Sequence, residues 1–409
     1  MLKRINTFII RFLATFFQFF LVALISKQNN NELLAFYFLY LAFHQVGSYT
    51  LNFGFERIAL ISISKNPNKI IDFLNQIFKE YSKILINHFY IFILLLIANI
   101  YLFDINLIDN FMIIICCLLF SFNLINGQSI IASNFPNVGI FFVRVFYLIT
   151  ISFIFAFYNY GNYEITKNTI IYSFLLATML SLLLSYLFIK INFSKKIKNN
   201  SNTKIQLSFD QYKIQILNIV FQRLPIFLLN ILFIDKMLIA AFSLIHSIAS
   251  IRGTIVDVLA SQFVPKFLKM YDNKSDSLMI NNFFRKIQLY TFSFNCIYGI
   301  IILFFGNEIL NYFNPEFLTY FDILFLWLSG NVILSFFGLS IFINSTVSIK
   351  NTLHSKFILI SIFLMIFLAY TFNMQLGIYG LFLAILSSQI LLSILSYLNV
   401  NKLLKNHPK

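Results

Sequence analysis

The sequence predicts an all-α polytopic membrane protein: about twelve transmembrane helices in two six-helix bundles around a central cavity, with both termini in the cytoplasm. Three observations predict this class. Of the 409 residues 59% are apolar and only 11% charged, against about 25% charged in an ordinary soluble domain. Apolar runs long enough to cross a bilayer recur along the whole chain. Basic residues gather in every second connection between those runs.

The composition excludes several classes at once. Fifty-four residues are Phe and the mean hydropathy is +0.82. A soluble fold of this size cannot hide so much apolar surface. A single soluble enzyme, a disordered chain and a disulfide-rich secreted domain are therefore excluded. The three cysteines, Cys116, Cys117 and Cys296, lie inside apolar runs without metal-ligand spacing and read as small packing residues.

A spanning helix needs roughly 20 mostly apolar residues. Such runs lie near residues 5–25, 33–54, 84–103, 111–132, 138–158, 169–190, 213–234, 237–260, 287–305, 319–343, 353–372 and 376–400. The first follows Met1-Leu2-Lys3-Arg4 directly and reads as a retained helix, not a cleaved signal peptide. Between the second and third, Ile70 to Phe78 carries apolar residues at helical spacing, which predicts an amphipathic helix on the inner leaflet. The seventh and eighth are separated only by Asp235-Lys236 and predict a tight hairpin. Strand-like alternation is absent, which argues against a β-barrel.

Orientation follows from the positive-inside rule. With the N-terminus inside, twenty-three lysines and arginines fall on inner segments and three (Lys27, Lys167, Lys236) on outer ones. The outer loops are short and acidic. The net charge of +15 is explained by this placement, so nucleic acid is not an expected partner. The polar stretch 191–212 predicts a basic cytoplasmic linker between an N-terminal bundle, 1–190, and a C-terminal bundle, 213–409. Both bundles start inside, so a repeat would relate them by an axis along the membrane normal.

Ionisable groups inside the membrane are costly and face a cavity or a partner. In the first span Thr7, Arg11 and Gln18 share one helical face. In the seventh, Gln211, Gln215, Asn218, Gln222 and Pro225 make a continuous polar face, with Arg223 beside it and a kink or break expected at Pro225. In the eighth, Ser243, His246, Ser250, Thr254 and Asp257 form a stripe. Arg252 lies about 200° from Ser250 and must face another helix or a second wall. His44 precedes Glu56-Arg57 by a spacing close to that of His246 and Asp257, so the second spans of the two halves echo each other. Arg11, Arg144 and Arg223 fall in the inner halves of outward-running spans. The embedded charge is an excess of arginine over Glu56 and Asp257, and arginine suits bidentate phosphate contacts. One reading is an anionic headgroup site loaded from the cytoplasm. The other is that Arg11, Arg57 and Arg144 snorkel to the interface, that Glu56 and Asp257 lock helices, and that the amides glue helices together. No Gly-rich phosphate loop, zinc spacing or acidic cluster suited to Mg²⁺ is present, so neither catalysis nor a cofactor is expected.

The second half carries a recognisable order of motifs. Ile239-Ala240-Ala241-Phe242-Ser243 leads to Phe263-Val264-Pro265-Lys266-Phe267, then Gly306-Asn307-Glu308-Ile309-Leu310, Asn314-Pro315-Glu316-Phe317 and Gly377-Ile378-Tyr379-Gly380-Leu381. In the first half, Leu51-Asn52-Phe53-Gly54-Phe55 ends the second span. In order and spacing the chain resembles the polysaccharide-transporter, Wzx-type branch of the MOP (multidrug/oligosaccharidyl-lipid/polysaccharide) exporter superfamily. The resemblance implies a flippase of the bacterial inner membrane, moving an undecaprenyl-diphosphate-linked oligosaccharide repeat unit outward by alternating access for O-antigen or capsule synthesis. Its implied partners are that lipid-linked oligosaccharide, membrane lipids, H⁺ or Na⁺, and a polymerase or other glycan-assembly protein. On this reading Arg11, Arg223 and Arg252, with Arg144 and Arg57, neutralise the diphosphate. Gln18, Gln215, Asn218 and Gln222 contact sugars, while Glu56, Asp257 and His246 serve gating or ion coupling. The alternatives are a lipid II-type or MATE-like drug exporter of the same superfamily, or a membrane-embedded polysaccharide polymerase or ligase. The first span lacks the acid of the cation-coupled drug exporters.

Overall fold

The computed structural model describes residues 2–65, 67, 70–193, 209–272, 277–347 and 353–405. Among them every regular element is helical. Most of the linker 191–212 lies outside the described residues, as do the side chains of Thr7, Gln211 and Asp257. The chain divides into two compact units, Met1–Ile219 and Val220–Lys409.

The first unit begins with α1 (Leu2–Ser26) and α2 (Asn31–Leu51). Asn30 caps α2, its side-chain oxygen accepting from Leu33 N. A further helix, α3 (Phe55–Lys65), follows after three residues, and α4 (Ile70–Asn87) and α5 (Phe89–Leu102) are bent by 67° at His88. The long α6 (Leu107–Ala132) is capped by Asn106. The fifth span is α7 (Pro136–Ile140), a π-helical segment Phe141–Phe146, and α8 (Tyr147–Tyr160); α9 (Lys167–Phe193) is the sixth. Pro136 suits the first turn of α7, where its missing N–H is not needed.

The helix α10 (Phe209–Leu232) starts in the first unit and ends in the second. It runs through Pro225 without the break that the sequence suggested there. After it come α11 (Lys236–Asp272), α12 (Ser277–Phe304), the short α13 (Gly306–Phe313), a 3₁₀ turn Pro315–Tyr320, α14 (Phe321–Val347), α15 (Leu353–Leu376) and α16 (Ile378–Lys405). Asp235 makes the α10–α11 hairpin tight, its carboxylate accepting from Met237 N.

Among the described residues ten helices are long and apolar enough to cross a membrane, and the bent pair α4–α5 adds an eleventh. The twelfth expected span is α2, which is less apolar and carries His44, Gln45 and Ser48. Every residue from Leu33 to His44 is buried, so protein rather than lipid is its solvent. That burial explains why hydropathy alone undervalues it.

The segment 70–78 differs from expectation. Its helix is amphipathic, but Ile70, Phe73, Leu74, Ile77 and Tyr81 are buried in one cluster with Phe55, Ile58, Ile63, Ile125 and Ile130. The apolar face is covered by α3, α6 and α9, the last through Ile189 and Phe193, and is not reserved for lipid. The second unit has a matching cluster at the ends of the matching helices. There Ala260, Val264 and Phe267 of α11 meet Ile280, Phe284 and Ile287 of α12, Leu339 and Ile343 of α14, and Val400 and Leu404 of α16.

Candidate functional site

The site residues fall into two clusters, one in each unit, and each cluster sits on the second span of its half. In the first unit the α2–α3 connection turns sharply because Phe53 and Gly54 both have positive φ, 51° and 77°. Gly54 is the residue for which that conformation costs least. A side chain there would also meet Tyr212, whose Cβ lies 3.2 Å from the position of an added Cβ.

The turn leaves helix carbonyls without their usual N–H partners, and inside a membrane each must find another. Tyr81 Oη donates to Leu51 O at 2.8 Å, and Tyr212 Oη donates to Thr50 O at 2.8 Å. Asn52 serves both sides of the turn. Its Nδ2 donates to Ser121 O, and its Oδ1 accepts from Glu56 N at the start of α3.

Glu56 therefore projects from the first turn of a helix into a buried position, 7% exposed. Its Oε1 accepts from Nε2 of Gln215, itself 8% exposed. Glu56 Oε2 and Gln215 Oε1 are both buried without a hydrogen-bond partner. Arg57 and Arg144 act on the carboxylate electrostatically. The ion pairs seen within 4 Å among the described residues, such as Lys83–Glu80 and Lys167–Glu32, do not involve Glu56, so it is not locked to an arginine.

Arg144 lies in the π-helical segment and is exposed. Just before that segment α6 and α7 approach closely. A Cβ on Gly139 would stand 2.5 Å from Gly127 O, so these helices touch backbone to backbone. The π turn leaves Phe142 O available, and both Ser181 Oγ (2.7 Å) and Asn123 Nδ2 (3.3 Å) donate to it. Arg11 and Gln18 are half-buried on α1.

In the second unit His246 is 8% exposed and its Nδ1 has no hydrogen-bond partner. Its ring stacks on Phe242 one turn earlier and meets the edge of Trp327 at 5.2 Å. Trp327 in turn packs on Phe382 at 4.9 Å. Arg223 and Arg252 both act on the His246 ring electrostatically. As its angular position required, Arg252 reaches another helix: Nη1 donates to Asn331 O of α14 at 3.2 Å. Arg223, Arg252 and Asn218 are half-buried and Gln222 is exposed.

The structure thus brings Glu56 and Gln215 into contact with Arg57 and Arg144 in electrostatic reach, and in the second unit sets Arg223 and Arg252 in such reach of His246. Gln215 faces Glu56 rather than standing alone on a polar stripe. Sequence reasoning missed Tyr81, Tyr212, Asn52 and Asn331. It also missed Trp327, although a single tryptophan in 409 residues was a visible signal.

No protein-family model matches the chain, and no curated protein matches it in sequence. Solved structures do match its fold. An inward-facing multidrug resistance MATE family transporter of the MOP superfamily superposes with a TM-score of 0.71 at 13% identity, covering 98% of this chain and 96% of the other. An outward-facing MATE family transporter of that superfamily gives 0.64 at 14% identity, with the same coverage. A MATE structure in the bent conformation gives 0.67 at 14% identity, covering 98% and 95%. This chain therefore has the fold of the MATE transporters, a multi-pass helical membrane architecture.

Proposed function

We propose that this protein is an alternating-access membrane exporter of the MATE-like kind and that its solute is anionic. The transport reading is supported by the fold likeness over 98% of the chain to transporters described in inward-facing and outward-facing conformations. Both of those neighbours are described as multidrug resistance transporters, which favours the exporter form of the reading. The charge of the solute rests on one feature of this chain: the half-buried Arg223 and Arg252 both lie within electrostatic reach of the buried, aromatic-caged His246. Two half-buried arginines within electrostatic reach of the same residue favour an anion over the cationic dyes that an acid-lined site would take.

A second reading is favoured by those arginines and by the motif order. The solute is then an undecaprenyl-diphosphate-linked oligosaccharide, turned from the inner to the outer leaflet of a bacterial inner membrane. On this reading Arg223 and Arg252 in the second unit, and Arg11, Arg57 and Arg144 in the first, serve to neutralise the diphosphate. Gln18, Asn218 and Gln222 then contact sugars. Glu56, Asp257 and His246 serve as gate or ion-coupling groups. The stretches 1–190 and 213–409 are then the two bundles, joined by the linker 191–212.

The test is a deletion strain complemented by wild type or by Arg223→Ala/Arg252→Ala, with membrane insertion checked. An impermeant probe reads the leaflet of the lipid-linked glycan, and dye efflux is measured in the same cells. Hidden glycan in the deletion strain and in the double variant supports the flippase reading. Normal glycan exposure with reduced efflux of an anionic dye in the double variant supports the exporter reading. Undiminished glycan exposure and efflux in the inserted double variant sinks the anion site.

A further inference from the structure

The start of α10 is fastened to the α2–α3 turn at two points. Tyr212 Oη holds Thr50 O, and its ring packs on Phe53 with centroids 5.9 Å apart. One turn further, Gln215 holds Glu56. The first contact involves no titratable acid. The second does, and it is incomplete. Gln215 Nε2 donates to Glu56 Oε1, while the remaining oxygen of each group is buried without a partner.

Two acceptor oxygens left over from one acid–amide pair lack the same thing, a hydrogen. A carboxylic acid and a primary amide can share two hydrogen bonds, N–H to C=O and O–H to O=C. Buried polar atoms left unpaired are costly, and a single proton on Glu56 Oε2 would satisfy both.

We propose that Glu56 is a proton-binding site, and that its proton completes a two-point latch with Gln215 that holds the start of α10 against the α2–α3 turn. The proton comes from water through the inner end of the site and adds to Oε2; no other bond breaks. Loss of the proton leaves a buried charge beside the bare oxygen of Gln215, and the latch opens. The groups that face Glu56 suit this. Arg57 on its own helix and Arg144 on the π-helical segment supply positive charge when the carboxylate forms. From α4 comes Tyr81, committed to Leu51 O, and from α10 comes Tyr212, committed to Thr50 O, with Lys213 next to it in sequence. From Ser121 to Ala132, α6 presents no charged side chain. The inference deepens the gating part of the proposed function and does not depend on the solute.

The test uses the full chain in lipid nanodiscs without any solute. Ile61→Cys on α3 and Ile216→Cys on α10 carry spin labels, with Cys296→Ser in the background and Cys116 and Cys117 buried. Wild type is expected to show one narrow distance at about pH 5.5 and a longer, broader distribution at about pH 8.5, a range over which buried carboxyl groups titrate. Glu56→Gln, which supplies the missing hydrogen permanently, is expected to keep the narrow distance at both. An unchanged wild-type distribution overturns the proposal, and so does a wild-type-like pH response in Glu56→Gln. A distribution that follows Na⁺ at constant pH also overturns it. Should Glu56→Gln fail to insert, infrared spectroscopy decides on the wild type and Gln215→Leu. A protonated-carboxyl C=O band that titrates in the wild type and shifts in Gln215→Leu upholds the latch. Absence of such a band removes it. Because no solute is present, failure here leaves the anion site untouched, and failure of the anion site leaves the latch untouched.

Discussion

The second span of the first half and the second span of the second half carry the same devices on different backbones. In both, a histidine stacks on an aromatic ring one turn earlier, Tyr40 for His44 and Phe242 for His246. In both, a ring from the fourth span of the half meets the histidine, Phe120 at 4.8 Å and Trp327 at 5.2 Å. A tyrosine from the third span donates to a carbonyl of each, Tyr81 to Leu51 and Tyr298 to Ile248. At the far ends, Asp109 accepts from Tyr172, and Asp322 accepts from Tyr379. Yet α2 stops at Leu51 and restarts as α3, whereas α11 runs unbroken for 37 residues, about 55 Å. The break redirects the chain, so that an acid of the second span meets Gln215 of α10. The unbroken helix instead turns its polar groups to its own neighbours, as Arg252 does toward α14. Shared packing devices therefore leave room for different chemistry, and the choice between them is made by where one helix stops.

Substitutions at matched places test this parallel. The largest effect is expected for Trp327→Ala, which empties a fully buried site between Phe242, His246 and Phe382. A loss of about 3 kcal/mol is expected, at the low end for such truncations, because contact and cavity terms remain while transfer to lipid costs little. Phe120→Ala in the other half should cost less, since the smaller ring leaves a smaller void. Reversible unfolding in mixed micelles measures both, and a reversed order would break the parallel between the two cages.

Next in size is Tyr81→Phe. It leaves Leu51 O without its donor, at a cost of about 1–3 kcal/mol. Tyr298→Phe should cost less, because its acceptor lies inside a continuous helix while Leu51 ends one. Equal losses by the same unfolding measurement would mean that the α2–α3 turn needs no special support.

Gly54→Ala should cost about 1–2 kcal/mol through its positive φ. Gly253→Ala on α11 should be neutral or slightly stabilising, since nothing lies within 4 Å of an added Cβ and alanine favours helix. Thermal stability in detergent compares the pair; a neutral Gly54→Ala would show that the turn adapts.

The smallest effects belong to the far ends, where both tyrosines are exposed. Tyr172→Phe and Tyr379→Phe remove matching tyrosine–aspartate bonds and should lower thermal stability only slightly, Tyr172→Phe the more, because Asp109 is buried and Asp322 exposed. A large effect in one half alone would mark that end as more than a fastening.

Much of this was legible in the sequence by a simple physical route. Bilayer thickness translates into run length, so the spans followed without a structure, and helical periodicity placed Arg252 on a face of its own. The parallel between His44 and His246 was visible as spacing. What spacing could not supply was partners. Gln215 belongs to the right stripe in the sequence, but only packing turns it onto Glu56, 159 positions away in the chain. The helix from Ile70 is amphipathic by composition, but whether lipid or protein covers its apolar face depends on α3, α6 and α9 lying there. Pro225 reads as a breaker, yet the helix passes through it. The true break falls at Asn52–Gly54, where two tyrosines and an asparagine accommodate the freed backbone groups. Composition alone settled that the chain is helical and lives in a bilayer, because both depend on the local run of residues. Packing settled which polar groups meet, because inside a membrane every such group must be answered by another, and the answering residue can come from anywhere in the chain.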